Sequence, residues 1–208
     1  MAQRIRILHI TQAVGGGVER YIQMFLKQVD PSEYENHLLV SREADVAVYK
    51  NVVEHIEQVD LRRELGLQDM KAILQTRKVI KRIQPDIIYA HSSKAGAVAR
   101  LANVGLNSVC IYNPHGWSFN MKGSPKKQKL YSLLERLLAP LCRRIICISD
   151  TEKKSALNNK ICCEEKLAVI HNGIDIGQQL CREDAQICRD QLQIPVEAFV
   201  VGMVGRIS

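Results

Sequence analysis

The sequence predicts an α/β fold, with a doubly wound parallel sheet and helices on both of its faces. Short runs rich in β-branched residues recur along the 208 residues, and several are apolar at successive positions, as in strands that helices cover on both sides. Amphipathic helical patterns separate these runs, so strand and helix alternate. This alternation is typical of a Rossmann-like sheet.

The predicted strands follow one another along the chain, and each is a short apolar run. In order they read IRILHI, NHLLVS, DIIYAH, VCIYN, RIICIS, LAVIH and FVVGMVG. The carboxyl ends of parallel strands meet at one edge of the sheet, which is where such sheets bind ligands. We therefore expect the functional residues at these ends.

Two of the intervening helices are well marked. One covers residues 68–84 and ends before Pro85, and its predicted apolar face consists of Met70, Ile73, Leu74, Ile80 and Ile83. The other follows Ser124, a favourable N-cap residue, and begins at Pro125. Its predicted buried stripe consists of Leu130, Leu133, Leu134, Leu137 and Leu138.

Composition narrows the classes of function. The formal charge of +7 suggests an anionic partner. Nucleic acid is not expected, because the basic runs contain no interleaved aromatic residues and no known binding motif. Seven cysteines without a C-x-x-C pair predict reduced thiols, and the adjacent Cys162 and Cys163 are poorly placed to share one metal ion with His171 and Cys181. No metal and no cofactor are expected.

The cysteine pattern, together with the N-terminus, predicts a cytoplasmic location. The N-terminus reaches the polar Thr11 and Gln12 too soon for a signal-peptide core, and no apolar run approaches the ~18 residues of a membrane span. Basic residues on helix 68–84 and over residues 122–129 would suit peripheral contact with the anionic inner face of the cell membrane. A solvated helix face explains them as well.

Glycine, hydroxyl and imidazole groups recur at the predicted strand ends. They lie in residues 15–17, 91–94, 113–116, 149–150 and 171–173. Groups of these kinds suit sugars and phosphates.

Three consecutive glycines, Gly15, Gly16 and Gly17, stand between the first strand and a helix. They do not complete a dinucleotide fingerprint, because Arg20 replaces the third glycine, and no Gly-Lys-Ser/Thr follows as in a P-loop. They predict instead a turn that presents backbone N–H groups at a helix N-terminus to a phosphate or a sugar.

Six motifs, in order and over the whole chain, resemble family-4 retaining glycosyltransferases of the GT-B fold, especially bacterial capsular and exopolysaccharide enzymes. They are GGGVERY, HSSKAG, NPHGWSF, ICISD, VIHNGID and VVGMVGRIS. In that family two Rossmann-like domains face each other. The resemblance implies that residues 1–175 form the acceptor-side domain, residues 176–197 an interdomain linker or helix, and residues 198–208 the first strand of the donor-binding domain.

The resemblance implies catalytic roles for three parts of the chain. Gly15, Gly16 and Gly17 are similar to the loop near the donor diphosphate and the acceptor. His115 is similar to the histidine that contacts the transferred sugar, and Arg206 to the arginine that binds the leaving diphosphate.

On the acceptor side, His91 and Ser92 hold positions similar to residues that face the acceptor in this family. Trp117 is a further acceptor-side candidate, because an indole can stack on a sugar ring. Packing of its loop onto the core is an equal alternative.

The implied donor is a nucleotide-diphosphate sugar, and the implied acceptor is a growing glycan or a polyprenyl-phosphate-linked chain. In the mechanism generally proposed for the family, the departing phosphate oxygen takes the acceptor proton, so the protein supplies positive charge and N–H dipoles. A retaining glycosidase instead needs two carboxylates ~5 Å apart, and the predicted rim offers no such pair. The family's lysine after Arg206 and its E-x7-E motif would lie beyond Ser208, so we expect these residues alone to be inactive.

Two other functions stay open from the sequence. One is a nicotinamide-dependent oxidoreductase, against which the missing third glycine counts. The other is a stand-alone, non-enzymatic module that binds a phosphate or a sugar.

Overall fold

The computed structural model describes residues 3–13, 15–62, 66, 68–174 and 182–203. The chain divides into two units, Met1–Asn172 and Gly173–Ser208. The elements of the first are β1 (Ile5–Thr11), α1 (Gly16–Gln28), β2 (Tyr34–Ser41), β3 (His55–Val59), α2 (Gln68–Ile83), β4 (Ile87–His91), α3 (Ser93–Ala102), β5 (Val109–Asn113), α4 (Pro125–Leu138), β6 (Arg144–Cys147), α5 (Asp150–Asn158) and β7 (Leu167–Val169). The second unit contains α6 (Arg182–Gln191).

The strands form one seven-stranded sheet in the order β3-β2-β1-β4-β5-β6-β7. All neighbouring pairs are parallel. The chain winds outward from β1 through β2 and β3, then returns to β4 on the other side of β1 and continues to β7. The predicted α/β, doubly wound, Rossmann-like fold is confirmed. The order of the strands reverses between β1 and β4, and this is where such sheets open a crevice for a ligand.

Six predicted strands match β1, β2 and β4–β7 because their apolar residues fill the core. Leu8, Leu39 and Ile88, for example, are fully buried. The edge strand β3 was not among the predicted strands, because it reads HIEQV and has little apolar character. Residues 198–203 form no strand, and the remainder of the predicted strand 198–208 lies outside the described residues.

Both well-marked helices form close to their predicted bounds. α2 spans Gln68–Ile83, and α4 begins at Pro125. The predicted N-cap of α4 is confirmed, because the hydroxyl oxygen of Ser124 accepts a hydrogen bond from the backbone N–H of Lys127. None of the described helices is both long and apolar enough to cross a membrane.

The buried face of α2 agrees with the predicted one at Ile80 and Ile83, with Ile73 half-buried, and differs from it at the other two positions. Met70 and Leu74 are 63% and 54% exposed. The buried residues of the helix are Ala72, Thr76, Val79, Ile80 and Ile83. Small side chains at the first two of these positions let α2 pack closely against α3, and the face is rotated accordingly.

The predicted leucine stripe of α4 is wrong at three of its five positions, and the other two, Leu134 and Leu138, are half-buried. Leu130, Leu133 and Leu137 are 49%, 48% and 63% exposed, while Ser132 and Glu135 are buried. Glu135 accepts a hydrogen bond of 2.8 Å from Nη2 of Arg100 on α3 and another of 2.8 Å from the hydroxyl of Tyr112 on β5. A buried ion pair therefore holds α4 in place, and the leucines stay on the outer side.

In the second unit, Nη1 of Arg189 on α6 donates to the carbonyl oxygens of Pro195, Val196 and Ala198 at 2.9–3.2 Å. The following residues are exposed, with Phe199 at 93% and Met203 at 95%. The assignment of residues 176–197 to a linker or helix, and of residues 198–208 to a donor domain, stays a prediction.

Candidate functional site

The candidate site lies at the carboxyl ends of β1, β4 and β5. Thr11 of β1 pairs with His91 of β4, and His91 pairs with Asn113 of β5. The glycine loop follows β1, Ser92 follows β4, and His115 follows β5. The sheet therefore brings three of the predicted groups to one rim at the topological switch point.

The glycine loop opens α1. Gly15 and Gly16 have φ values of 72° and 77°, a left-handed conformation that glycine adopts without strain. Among the described residues no side chain caps the helix, and a Cβ at Gly15, Gly16 or Gly17 would meet no atom within 4 Å. The backbone N–H of Gly15 donates to Oε2 of Glu19 at 3.0 Å. The other N–H groups of the first turn are available to an anion.

His91 and Ser92 form the second part of the rim. His91 is fully buried, and Ser92 N-caps α3 with a φ of 79°. The backbone N–H of Ser92 donates to the carbonyl oxygen of Asn113 at 3.0 Å, which links the ends of β4 and β5. Within the described part of the chain, the buried hydroxyl of Ser92 has no hydrogen-bond partner. Its hydrogen-bonding capacity is therefore unused among the described residues.

His115 is half-buried and lies in a tight turn after β5. Its φ is 50°, and its backbone N–H donates to Oδ1 of Asn113 at 3.0 Å. Burial lowers the pKa of His115 to about 4, because desolvation disfavours the imidazolium ion. The side chain is therefore neutral at pH 7.

Three imidazoles run from the core to this turn, and we call His9, His91 and His115 the histidine row. Nδ1 of His9 lies 3.4 Å from Nε2 of His91, and Nδ1 of His91 lies 3.1 Å from Nε2 of His115. Nε2 of His9 lies 3.2 Å from Oδ1 of Asn36. Sequence reasoning missed His9 and Asn36. The only available signal was a polar residue within the apolar run IRILHI.

Glu152 at the start of α5 was also missed, and it fixes the His115 turn. Its Oε1 and Oε2 accept hydrogen bonds of 2.6 Å from the backbone N–H groups of Gly116 and Ile148. Burial raises the pKa of this carboxyl group, although the two N–H bonds act in the opposite direction. Both oxygens are engaged by backbone groups, which is the arrangement of a structural carboxylate.

Trp117 lies in the core below the turn. It is 2% exposed, its Nε1 donates to the carbonyl oxygen of Glu152 at 3.0 Å, and its ring stacks on Phe119 at a centroid distance of 5.2 Å. Of the two alternatives that the sequence left open, this position supports packing of the loop rather than stacking on a sugar.

Arg206 lies outside the described residues. The described residues contain no group of three or more His, Cys, Asp or Glu side chains that could hold a metal ion.

Comparison with known families gives one match over most of the chain. The model of the family described as Glycosyltransferase Family 4 matches residues 15–178. This range contains the glycine loop, Ser92 and the His115 turn.

Two curated relatives match most or nearly all of the chain. It is 24% identical over 209 residues to the Escherichia coli protein named UDP-Gal:alpha-D-GlcNAc-diphosphoundecaprenol alpha-1,3-galactosyltransferase, covering 98% of this chain and 54% of that protein. It is 25% identical over 178 residues to the capsular polysaccharide biosynthesis glycosyltransferase CapM of Staphylococcus aureus, covering 82% of this chain and 46% of that protein. The chain thus spans about half the length of the curated relatives that it matches.

Solved structures give the same picture for the fold. Anabaena Alr3699/HepE, in a crystal structure with UDP and glucose, matches with a TM-score of 0.69 and 18% identity, over 91% of this chain and 50% of that one. The apo form of the lipopolysaccharide outer core galactosyltransferase WaaB matches with a TM-score of 0.61 and 18% identity, over 83% and 47%. The fold corresponds to one half of a GT-B structure.

Proposed function

Because the chain belongs to glycosyltransferase family 4, we propose that it forms the acceptor-side half of an enzyme that transfers a sugar with retention. The donor is a nucleotide-diphosphate sugar, and the acceptor is a growing surface polysaccharide or its polyprenyl-phosphate-linked precursor. The names of the relatives support these substrates, since one names UDP-Gal and a diphosphoundecaprenol-linked sugar and another names capsular polysaccharide. Family membership removes the oxidoreductase alternative.

The observation that carries the proposal is a neutral, half-exposed histidine at the switch point of the sheet, beside two helix N-termini. The His115 side chain can hydrogen-bond a hydroxyl group of the transferred sugar. The uncapped N-terminus of α1, opened by Gly15 and Gly16, directs N–H groups at the rim. N–H dipoles in that place stabilise the charge that develops on a departing diphosphate.

Glu152, the carboxylate that holds the His115 turn, is not suited to act as a nucleophile. Both oxygens of Glu152 accept short hydrogen bonds from backbone N–H groups. This supports a mechanism in which the departing phosphate oxygen takes the acceptor proton and the protein supplies electrostatic stabilisation. We assign the remaining positive charge to Arg206, on the donor side of the full-length protein.

The outer face of α4 suits a membrane surface that carries a lipid-linked acceptor. The exposed Leu130, Leu133 and Leu137 lie along one side of the helix at spacings of three and four residues. Lys126 and Lys129 are exposed and border this stripe. Apolar side chains flanked by lysines favour peripheral binding to a bilayer that contains anionic lipid. We propose that this face places the protein at the inner side of the cell membrane.

The test uses the full-length protein. His115→Ala should lower turnover by about 10²-fold, the usual scale for losing one polar contact to the reacting centre. Affinity for the nucleoside diphosphate should change little, because the imidazole faces the sugar. His55→Ala, at an exposed histidine on the edge strand β3, is the matched control.

Wild-type turnover in the His115→Ala variant contradicts the assignment of this residue. If the wild-type protein binds a nucleotide sugar and a lipid-linked acceptor but transfers no sugar, the stand-alone binding module is the correct alternative.

A further inference from the structure

The histidine row crosses the sheet from its buried centre to the rim. Asn36 lies on β2, His9 on β1, His91 on β4 and His115 just after β5, so each hydrogen bond passes to the next strand. Asn36 is 4% exposed, and His9 and His91 are fully buried. These three side chains are therefore shielded from bulk solvent, and their direct contacts with one another define the row.

All three imidazoles are neutral at pH 7. Burial lowers the pKa of His9 to about 4, and it places the pKa of His91 well below its usual range, with the neighbouring His9 and His115 acting in the same direction. No carboxylate among the described residues forms an ion pair with the row. The titratable groups packed against it are Tyr21 and Tyr89, whose hydroxyls bond to each other at 2.8 Å.

A neutral imidazole has one N–H donor and one acceptor nitrogen. A row of neutral imidazoles must therefore donate in one direction throughout, and the group at its buried end selects that direction. That group is Oδ1 of Asn36, which can only accept. His9 then carries its proton on Nε2, His91 carries its proton on Nε2, and His115 donates from Nε2 to His91.

We infer that Asn36, His9 and His91 are positioning residues that fix His115 as the Nε2–H tautomer and leave its Nδ1 lone pair free at the rim. Within the described residues no group hydrogen-bonds to this Nδ1. An acceptor nitrogen pairs with a hydroxyl donor of a ligand and repels a phosphate oxygen. Resting on the proposed function, the inference assigns His115 to a sugar hydroxyl rather than to the diphosphate.

The direction of hydrogen-bond donation along the histidine row can be measured without any assay of enzymatic activity. In the full chain labelled with ¹⁵N-histidine, long-range ¹H–¹⁵N correlation spectra at pH 7 distinguish the two tautomers of each imidazole. We expect Nε2–H for all three residues of the row. A His115 that carries its proton on Nδ1 overturns the inference, and this wild-type measurement decides the direction whether or not any variant folds.

The part played by Asn36 is tested by Asn36→Leu, which replaces the amide acceptor with an apolar side chain of similar size. The Nε2–H form of His115 should lose its dominance. Glu54→Gln is the matched control, since Glu54 accepts a hydrogen bond of 2.8 Å from the backbone N–H of Asn36 and pairs with Arg4, but does not hydrogen-bond to an imidazole of the row. If Asn36→Leu does not fold, His9→Phe breaks the row one step later. An unchanged tautomer in the folded variant overturns the role of Asn36.

The hydroxyl assignment is tested by adding glucose or inorganic phosphate to the labelled chain. Glucose should shift the ¹⁵N resonance of His115 Nδ1, whereas phosphate should not. A shift with phosphate alone, or no shift with saturating glucose, overturns this part. The tautomer result stands independently of glycosyl transfer, so a failure of the inference and a failure of the proposed function can be told apart.

Discussion

Burial of the histidine row makes the stability of the first unit depend on pH. The pKa of His9 is lowered from 6.5 to about 4 in the folded state, so the unfolded state binds more protons between these values. The free energy of unfolding should therefore fall as the pH drops through this window, by up to about 1.4 kcal/mol per pH unit for each histidine concerned. Urea unfolding at a series of pH values measures the slope.

Two variants test whether His9 causes this pH dependence of the free energy of unfolding. His9→Phe should reduce it, because Phe keeps the packing against Phe25 and Tyr89 without a titrating group. His55→Gln, at an exposed position, should keep the wild-type slope. A profile that is flat between pH 6.5 and about 4 would contradict the buried, neutral state of His9.

Gly96 is required where α3 crosses β5. A Cβ at this position would overlap the ring of Tyr112. The ring cannot move aside, because its hydroxyl bonds to Glu135 and the guanidinium of Arg100 lies 4.2 Å above it. Gly96→Ala should lower the free energy of unfolding by about 1–3 kcal/mol through overpacking, even though alanine favours the helix by up to about 1 kcal/mol.

Gly123→Ala is the matched control for this prediction. A Cβ there would meet no described atom within 4 Å, and the backbone conformation suits any residue. Thermal or urea denaturation of the two variants should give clearly different losses. Equal stabilities would show that the Tyr112 ring can relax.

Part of the candidate site could be predicted from the sequence, because the ends of apolar runs mark the ends of strands. His91, Ser92 and His115 each follow an apolar run, and parallel strands place such residues together. His9 and Asn36 could not be found in this way, because their contact depends on the order of β2, β1 and β4 in the sheet. Sheet order is a long-range property that the local pattern does not contain.

Among strands and helices, features that depend on local sequence were predicted correctly, and features that depend on long-range packing were not. Strands buried on both faces leave a continuous apolar run, so β4 and β5 were predicted almost to the residue. The orientation of a helix depends on what it packs against. The buried pair of Arg100 and Glu135 turns α4 so that charged and small residues face inward. A sequence pattern that counts leucines therefore selects the wrong face.

The exposed leucine stripe of α4 gives a testable consequence at this scale. The full chain should bind vesicles that contain anionic phosphatidylglycerol, and replacement of Leu130, Leu133 and Leu137 by Ser should weaken binding by at least about tenfold, since apolar burial drives insertion. Leu74→Ser, at an equally exposed leucine on α2, is the control. Vesicle sedimentation measures the partition coefficient.

The lysines bordering the stripe supply the second arm of this experiment. Replacement of Lys126 and Lys129 by Gln should weaken binding by about 1 kcal/mol per lysine and reduce its dependence on salt. If binding is unaffected by both the leucine and the lysine substitutions, α4 is not the membrane face.

At the scale of the whole molecule, the units Met1–Asn172 and Gly173–Ser208 differ in how much apolar surface each of them buries. The first unit contains the complete seven-stranded sheet and its core. The described part of the second unit contains one exposed helix and an exposed apolar segment. If, as the family resemblance implies, residues 198–208 form the first strand of a donor-binding domain, we expect their apolar side chains to be buried in that domain.

Removal of the residues after Pro195 should therefore leave the melting temperature of the first unit almost unchanged. Phe199, Val201 and Met203 are 93%, 84% and 95% exposed, so their burial contributes little to the stability of this chain. Exposed apolar segments promote self-association, so truncation should also reduce aggregation measured by light scattering. Backbone amides of residues 198–203 should exchange quickly with solvent, while those of β6 stay protected because β6 pairs with β5 and β7. Two outcomes would contradict this prediction: unfolding of the first unit on truncation, or amide exchange in residues 198–203 as slow as in β6. Either outcome would mean that residues 198–203 belong to the first sheet and that a domain boundary before residue 198 is wrong.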